Sequence, residues 1–374
     1  MASGTKRETQ GGRPTRVGWV DGSLLGLIVV SIAVVVAGGL VQVSFGAFTM
    51  TFREAWSAVF DPAVALDPAT WEGLLLGSEV PEMNRRSLVV WHIRLPRVFV
   101  AILVGMNLAV SGAIFQAITR NELASPYILG VSSGAGLAVL LTLVVFSGVA
   151  QFLPLIAAVG GAVAFLLVYV IAWKGGTSPV RLVLAGVVVG TVFQSLQTGL
   201  FFFADDLGVV QTAIAWTTGS LTGVDWEQVR LALPWTVLSI LLAVVGARQL
   251  NLLLLGERTA RSLGMPVKTV RFALSGVAIL AASGAIAVAG IVGFVGLIVP
   301  HLVRNVVGSD YKRLVLGCVF AGPALLVAAD VRARLGMQVL FGAPGQLPVG
   351  ILTGIVGGPY FLYLMRRTEK MGEI

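Results

Sequence analysis

Charged residues are scarce in this sequence. Lys, Arg, Asp and Glu together make up 12% of the 374 residues, whereas soluble domains carry about 25%. Hydrophobic residues make up 56%, and the mean hydropathy is +0.91. A water-soluble globule of this composition would expose large apolar patches, so the composition excludes a soluble protein and predicts one embedded in a lipid bilayer. The net charge of +8 then concerns membrane sidedness rather than nucleic acid, which we exclude as a partner.

Cysteine, histidine and nucleotide-binding motifs are also rare or missing. The single cysteine, Cys318, forms no internal disulfide, and the two histidines are too far apart in sequence to suggest a metal cluster. No GxxxxGK(S/T) phosphate-binding loop occurs. We therefore expect no catalytic residue, no metal and no cofactor in this chain.

Long apolar stretches dominate what is present. A helix needs about 20 apolar residues to cross the bilayer. Ten stretches meet or approach this length, and turn-forming residues at 147–154 and at Gly290 and Gly293 divide the longest runs. The sequence therefore predicts an all-α polytopic membrane protein, a bundle of ten helices packed closely through some of its 46 glycines. The predicted spans are residues 23–43, 97–118, 127–147, 152–173, 182–203, 231–250, 270–289, 292–308, 314–333 and 348–365.

The distribution of charge predicts the orientation. Both termini of a ten-span chain lie on one side, and basic residues favour the cytosol. With cytosolic termini, 18 of the 26 basic residues lie inside, and the charge divides into +11 inside and −3 outside. We expect a multi-pass protein of the cell membrane, with a basic cytosolic extension at 1–20 and a transmembrane domain at 21–374. The first apolar stretch exceeds the length of a signal-peptide core, about 7–15 residues, so we interpret it as an anchor.

Two long loops fall on the outer side. Residues 44–96 contain an amphipathic helix in which Phe52, Trp56, Val59 and Phe60 share one face; it lies at the membrane interface or, as we favour, caps the bundle. Residues 204–230 contain a short helix at 210–218 and a glycine-rich turn. This loop either lines an outer vestibule or is anchored at the interface by its tryptophans.

A third loop, residues 251–269, is polar and falls on the cytosolic side. Glu257 and Arg261 have the spacing of an ion pair on one helix, and Gly264 ends that helix. Ala260 and Leu263 share its apolar edge. A short surface helix with an exposed apolar edge indicates a docking site for a cytosolic partner.

The interiors of the predicted spans contain no Asp, Glu, Lys or Arg, although ion-coupled carriers place ionisable groups there. Energy for transport is therefore expected from another subunit. Four neutral polar residues in the fifth span recur at helical spacing, which is typical either of a path or of interhelical hydrogen bonding. Together with polar residues of the second and third spans they form the candidate translocation path: Gln116, Ser132, Ser133, Thr191, Gln194, Ser195 and Thr198.

A short repeat and an unusual group of arginines add to this pattern. Ser111–Ile114 and Ser283–Ile286 carry the same four residues in spans of opposite direction, which indicates an inverted repeat unless four small residues match by chance. Arg94 and Arg97 lie on the outer side before the second span, as do Arg332 and Arg334 after the ninth. They either snorkel to lipid phosphate or face an acidic partner from outside.

Seven segments give the chain a resemblance to the FecCD family of binding-protein-dependent permeases, which import ferric siderophores, haem and cobalamin. The resemblance covers nearly all of the chain after the basic extension. It departs from the family at Glu122, where Pro is usual, and near Gly336 to Gln346, which is longer and lacks the usual Glu before Leu-Pro. The segments are 94–97, 111–116, 120–126, 129–136, 255–264, 293–301, and 348–350 with 357–359.

The resemblance implies partners and sites. It implies a homodimer around a central pathway, two cytosolic ATP-binding cassette subunits that hold ATP and Mg²⁺, and an external solute-binding protein. Arg94, Arg97 and Arg334 match the arginines that face glutamates of the binding protein. His301 belongs to a family motif, and we interpret it as a packing residue. The segment that matches the ATPase-coupling helices contains Gly256, Glu257, Arg258, Ala260, Arg261, Leu263 and Gly264.

These expectations define a function. We expect the permease subunit of an ATP-driven importer that moves an iron(III)-siderophore-type chelate by alternating access, with cobalamin or haem as the alternative cargo. The chain itself is expected not to be an enzyme. An ion-coupled secondary transporter and a structural anchor or receptor are the competing classes.

Overall fold

The computed structural model describes residues 21–45, 48, 50–173, 178–204, 207–341 and 346–370, without the side chains of 337–341 and 364–370. The predicted basic extension at 1–20 lies outside the described residues. Sixteen α-helices make up most of this part of the chain. They are α1 Gly22–Ser44, α2 Phe52–Val59, α3 Pro62–Ala65, α4 Pro68–Leu76, α5 Arg85–Leu88, α6 Leu95–Thr119, α7 Val131–Val144, α8 Leu153–Ala172, α9 Pro179–Phe201, α10 Leu207–Thr218, α11 Trp226–Leu254, α12 Glu257–Ser262, α13 Val267–Ala289, α14 Val295–Val307, α15 Tyr311–Phe341 and α16 Val349–Lys370.

Ten of the helices coincide with the ten predicted spans. Seven helical stretches in the described part are long and apolar enough to cross a membrane, and α7, α14 and the apolar part of α16 are shorter. A 3₁₀ turn, Ser147–Phe152, separates α7 from α8, and Gly290 at φ +67° ends α13. Both predicted breaks are therefore confirmed, as is the all-α membrane architecture.

Helix α6 forms the centre of the bundle, where α11, α13, α14 and α15 pack around it. Glycines allow the closest approaches: a Cβ on Gly112 would lie 1.8 Å from the Gly296 carbonyl oxygen of α14, and one on Gly105 would lie 2.6 Å from the Gly322 carbonyl of α15. Small residues permit such backbone contact between membrane helices. Helices α7, α8 and α9 pack on one another beside this centre, and α1 packs on α15.

The bundle has two ends, which we name after the short helices found there. At the α2 end, α1 finishes, α6 begins, and α2 to α5 form a cap. At the α12 end, α6 finishes, and Arg120 approaches Gly256 just before α12. Helix α6 has 25 residues, so the two ends are separated by about 36 Å at 1.5 Å per residue.

Helix α2 shows why a cap forms at the α2 end. Thr51 and Glu54 make a reciprocal capping box that starts the helix. The face that packs on the bundle is Ala55 and Ala58, both buried, while Phe52 and Trp56 of the predicted aromatic face are exposed. The helix is therefore both a cap and an amphipathic element: its small residues fit the bundle, and its aromatic residues suit a membrane interface.

One alternative for the second outer loop and one expectation about the spans do not hold. Interfacial anchoring does not describe Trp226 of this loop, which is 4% exposed and donates its indole N–H to the Trp91 carbonyl oxygen at 2.7 Å. Asp330, within the predicted ninth span, is fully buried and ionisable. A buried charge requires a partner of opposite sign, and Arg97 Nη2 lies 2.8 Å from Asp330 Oδ1.

Candidate functional site

The larger of two adjoining cavities lies where α10, α14 and α16 meet. It has a volume of about 490 Å³. Thr217 and Thr218 at the end of α10, with Ser125, supply aliphatic hydroxyl groups. Tyr127 supplies a phenol, and Phe294 and Phe361 supply further aromatic surface. The last two residues of the predicted helix at 210–218 therefore line a cavity, and the interpretation of this cavity as an outer vestibule stays a prediction.

The second cavity, of about 260 Å³, contains four of the seven predicted path residues. Ser132 and Ser133 reach it from α7, and Thr191 and Gln194 reach it from α9. Gln197 also lines it, and donates its amide N–H to the Ser133 carbonyl oxygen at 2.9 Å. Four residues line both cavities, which therefore adjoin: Tyr127, Ile128, Thr217 and Ile291.

Three predicted path residues lie elsewhere. Gln116 is 2% exposed; it donates to the Leu297 carbonyl oxygen at 3.3 Å and accepts from Arg304 at 3.1 Å. It therefore joins α6 to α14. Ser195 and Thr198 donate to carbonyl oxygens one turn earlier in α9, each at 3.0 Å, so the interhelical alternative does not describe them either.

The lining of both cavities is neutral. Among the described residues that line them, the polar groups are hydroxyls, carboxamides and backbone amides, and no side chain is charged. An ion that entered such a lining would lose hydration without gaining a counter-charge. The arrangement therefore favours contact with an uncharged, hydrogen-bonding molecule.

The three predicted docking arginines lie together at the α2 end, and each is engaged within the chain. Arg94 is 4% exposed and donates to the Val43 carbonyl oxygen at 2.5 Å and to that of Phe48. Arg97 is 7% exposed. Arg334 is half-buried and donates to the Gln42 carbonyl oxygen at 3.3 Å.

Asp330 is the centre of this cluster and was missed by the sequence analysis. Its carboxylate accepts two hydrogen bonds from Arg97, both at 2.8 Å, and one from Gln42 at 2.6 Å. Arg97 also donates to Gln346. The cluster therefore joins α1, α6, α15 and the segment before α16, with three arginines and one carboxylate.

The predicted coupling segment forms a short helix at the α12 end. Gly256 at φ +96° precedes α12 and Gly264 at φ +81° follows it; such backbone angles favour glycine. Arg258, Arg261 and Leu263 are exposed, as a docking surface requires. Ala260, expected on the exposed apolar edge, is instead fully buried, and the Met265 amide donates to its carbonyl oxygen at 3.0 Å.

A second ionic cluster lies near the ends of α6 and α14. Glu122 lies 3.2 Å from Arg304 and 3.4 Å from Nδ1 of His301. The contact with His301, followed by the positive charge of Arg304, holds the pKa of Glu122 below its ordinary value. His301 thus lies against a charged residue and near the Tyr360 ring, and its role as a packing residue stays a prediction.

A polytopic helical bundle with adjoining, neutrally lined cavities and a docking-type surface helix defines a membrane permease. The FecCD transport family model matches residues 29–367, so the chain belongs to the FecCD transport family. This membership also supports the expectation that the chain is not itself an enzyme, since the family consists of permease subunits.

Individual relatives agree with this assignment. The chain is 38% identical to the iron(3+)-hydroxamate import system permease protein FhuG of Bacillus subtilis over 76% of this chain and 85% of that protein. It is 33% identical to the hemin transport system permease protein HmuU of Yersinia pestis over 93% of this chain and 96% of that protein. A solved inward-facing structure of a metal-chelate type ABC transporter superposes with a TM-score of 0.75 at 25% identity, covering 92% of this chain and 99% of that one.

Proposed function

We propose that this chain is the membrane-spanning permease subunit of an ATP-driven importer for an iron(III)-siderophore-type chelate. The observation that carries the proposal is the pair of adjoining neutral cavities in a chain of this family. The chelate passes between the two sides of the membrane by alternating access, and no bond in it changes. Weak polar groups suit this role, because a carrier must release what it accepts.

The lining also favours one class of chelate. A ferric ion bound by three hydroxamates carries no net charge, because three anionic groups balance the metal. Such a complex presents amide N–H groups that the hydroxyl oxygens of Thr217 and Thr191 can accept from, because both hydroxyls donate their own hydrogens within their helices. Carboxylate-rich chelates and haem would bring negative charge to a lining that offers no cation among the described residues. A corrinoid is the alternative cargo of the same mechanism.

The partners follow from the same proposal. Two copies of the chain form a homodimer around the pathway, two ATP-binding cassette subunits dock at α12, and an external binding protein delivers the chelate at the α2 end. Exposed Arg258, Arg261 and Leu263 would contact the ATPase. The termini lie in the cytosol, consistent with the charge distribution. At the α2 end the surplus of arginine over carboxylate favours acidic groups on the binding protein.

Reconstitution tests the function. Proteoliposomes that contain the chain, its ATPase and its binding protein should take up a ferric trihydroxamate only when ATP is supplied, and ferric dicitrate at a lower rate. Vesicles that contain the chain alone, with a proton or sodium gradient, provide the comparison. Uptake driven by the gradient alone would establish a secondary transporter instead, and no flux with any partner would establish an anchor or receptor.

A further inference from the structure

A part-buried ion pair joins α12 to α13. Glu257 Oε1 lies 2.6 Å from Arg271 Nη2, and Arg271, in the second turn of α13, is 1% exposed. The hydrogen bond from the Met265 amide to the Ala260 carbonyl oxygen holds the loop between the two helices against α12. A charge-assisted hydrogen bond to a desolvated guanidinium is strong and directional. Helix α12 therefore cannot move away from the start of α13 without breaking this pair.

Helix α13 is continuous from this pair to the cavities. Its 23 residues contain no proline, whereas α11, α14, α15 and α16 each contain one within the helix. Arg271 and Ala289 are separated by about 27 Å along the axis at 1.5 Å per residue. Sharp kinks in helices arise mainly at proline, at Gly/Ser pairs and at similar interruptions. Helix α13 contains two such pairs, Ser275–Gly276 and Ser283–Gly284, but it remains one continuous helix across both, so it can move as one body.

The far end of α13 is hydrogen-bonded through backbone atoms to the end of α10, which is bonded in the same way to the start of α16. We call this contact the wall joint. Three hydrogen bonds form it, from the Ser220 amide to the Ala289 carbonyl oxygen at 2.8 Å, from the Ile291 amide to that of Trp216 at 2.9 Å, and from the Gly350 amide to that of Gly219 at 3.1 Å. The wall joint therefore ties the end of α13 to the end of α10 and the start of α16.

Glycines make the wall joint possible. A Cβ on Gly350 would lie 1.7 Å from the Thr218 carbonyl oxygen, and one on Gly290 would lie 2.4 Å from that of Trp216. The backbones are therefore in direct contact, with no side chain between them that could change rotamer. Closely packed interiors of this kind shift between discrete arrangements rather than deforming continuously.

The wall joint is also part of the cavity wall. Thr217, Thr218, Ile291 and Gly350 belong to the joint or adjoin it, and all four line the larger cavity. A displacement of α13 along or across its axis would therefore displace cavity-lining residues of both α10 and α16.

We propose that Arg271 is a positioning residue for transport: by holding Glu257, it transmits movement of α12 through continuous α13 to the wall joint, and so changes the shape of the larger cavity. This rests on the proposed function, which supplies the ATPase that moves α12. The physical basis is a contiguous set of contacts, which is the condition for coupling between separated sites.

The test uses the complete importer in proteoliposomes. Arg271→Met removes the charge at similar length, and Glu257→Gln weakens the same pair from its more exposed side, with less effect on folding. A Thr217→Cys probe in a Cys318→Ser background reports the cavity by its rate of reaction with a water-soluble maleimide, with and without ATP. We expect ATP to change that rate at least fivefold in the parent protein and less than twofold in Arg271→Met, with an intermediate effect in Glu257→Gln. In Arg271→Met, the amount of chelate moved per ATP hydrolysed should fall at least fivefold relative to the parent protein.

The matched control is Arg313→Met. Arg313 also lies at the α12 end and pairs with Asp21 at 2.6 Å, but it joins α15 to α1 instead of α12 to α13. We expect its maleimide response and its transport per ATP to stay within twofold of the parent values. A normal response in Arg271→Met, or equal losses in the control, would overturn the proposed role. Absence of both uptake and ATP response in the parent would overturn the proposed function, and the role of Arg271 with it.

Discussion

The buried pair between Arg97 and Asp330 offers the sharpest test of how the α2 end is held together. Asp330 is fully buried and Arg97 is 7% exposed, so neither charge has water as an alternative partner. Removing one member of a buried ion pair costs about 3–5 kcal/mol, because the other charge remains unpaired. We expect a loss of this size in Arg97→Met, where the carboxylate would keep only the hydrogen bond from Gln42 among the three described above.

The double variant separates this effect from simple loss of contact. In Arg97→Met with Asp330→Leu, apolar side chains of similar volume replace both charges, and such replacements are often neutral or stabilising. We therefore expect the double variant to recover at least half of the summed losses of the two single variants. The assay is reversible unfolding in mixed micelles, followed by tryptophan fluorescence and analysed as a double-mutant cycle.

Arg332→Met is the control for this cycle. Arg332 is exposed on the same helix and donates to a carbonyl oxygen of its own helix at 3.1 Å, so the expected change is within about 0.5 kcal/mol. Strictly additive losses in the double variant would refute the view that Arg97 and Asp330 neutralise each other.

Three further predictions address other contacts. Gly112→Ala places a methyl group 1.8 Å from the Gly296 carbonyl oxygen and should destabilise the protein by about 3 kcal/mol or more. Gly276→Ala, with nothing within 4 Å of the added atom, should instead stabilise it by about 0.5–1 kcal/mol. Equal effects of the two substitutions in unfolding assays would contradict the packing described. Glu122→Gln should lose the stability that the lowered pKa of Glu122 contributes. In the parent protein this contribution is present above the ordinary pKa of about 4.3 and is lost as the pH falls through the folded value. The difference in unfolding free energy between parent and variant should therefore shrink on acidification, and a difference that grows would contradict the assigned direction of the pKa shift. Arg334→Glu should weaken association with the binding protein in a salt-dependent manner; an affinity unchanged at low salt would remove Arg334 from the docking surface.

Much of the fold was predictable because a bilayer demands long apolar helices. All ten spans coincide with helices, and both breaks coincide with turn-forming residues. Pairing between distant residues was not predictable: Arg97 and Asp330 are 233 positions apart, and neither their approach nor their mutual neutralisation has a local signal. Glu257 was assigned correctly to a short helix, but its buried partner Arg271 lies 14 residues later and was not anticipated.

The path residues stay a prediction, and helical spacing alone could not divide them between the cavity and the rest of the helix. Thr191 and Gln194 line a cavity while Ser195 and Thr198 of the same stripe do not, although the hydroxyls of Thr191, Ser195 and Thr198 all bond within α9. Gln197 was missed because it lies off the stripe, although it reaches the cavity across α7. Polarity inside a span marks a hydrogen-bonding group, but tertiary packing decides whether that group contacts the cavity or a neighbouring helix.

The wall joint has a consequence for how the protein responds to its surroundings. Backbone amides and carbonyls neither titrate near neutral pH nor attract counter-ions, so the joint is indifferent to acidity and ionic strength. The opposite end of α13 is held by an ion pair, Glu257–Arg271, and salt screens such a pair where it is exposed to water. Changes in ionic strength will therefore act on this helix at the α12 end rather than at the wall joint.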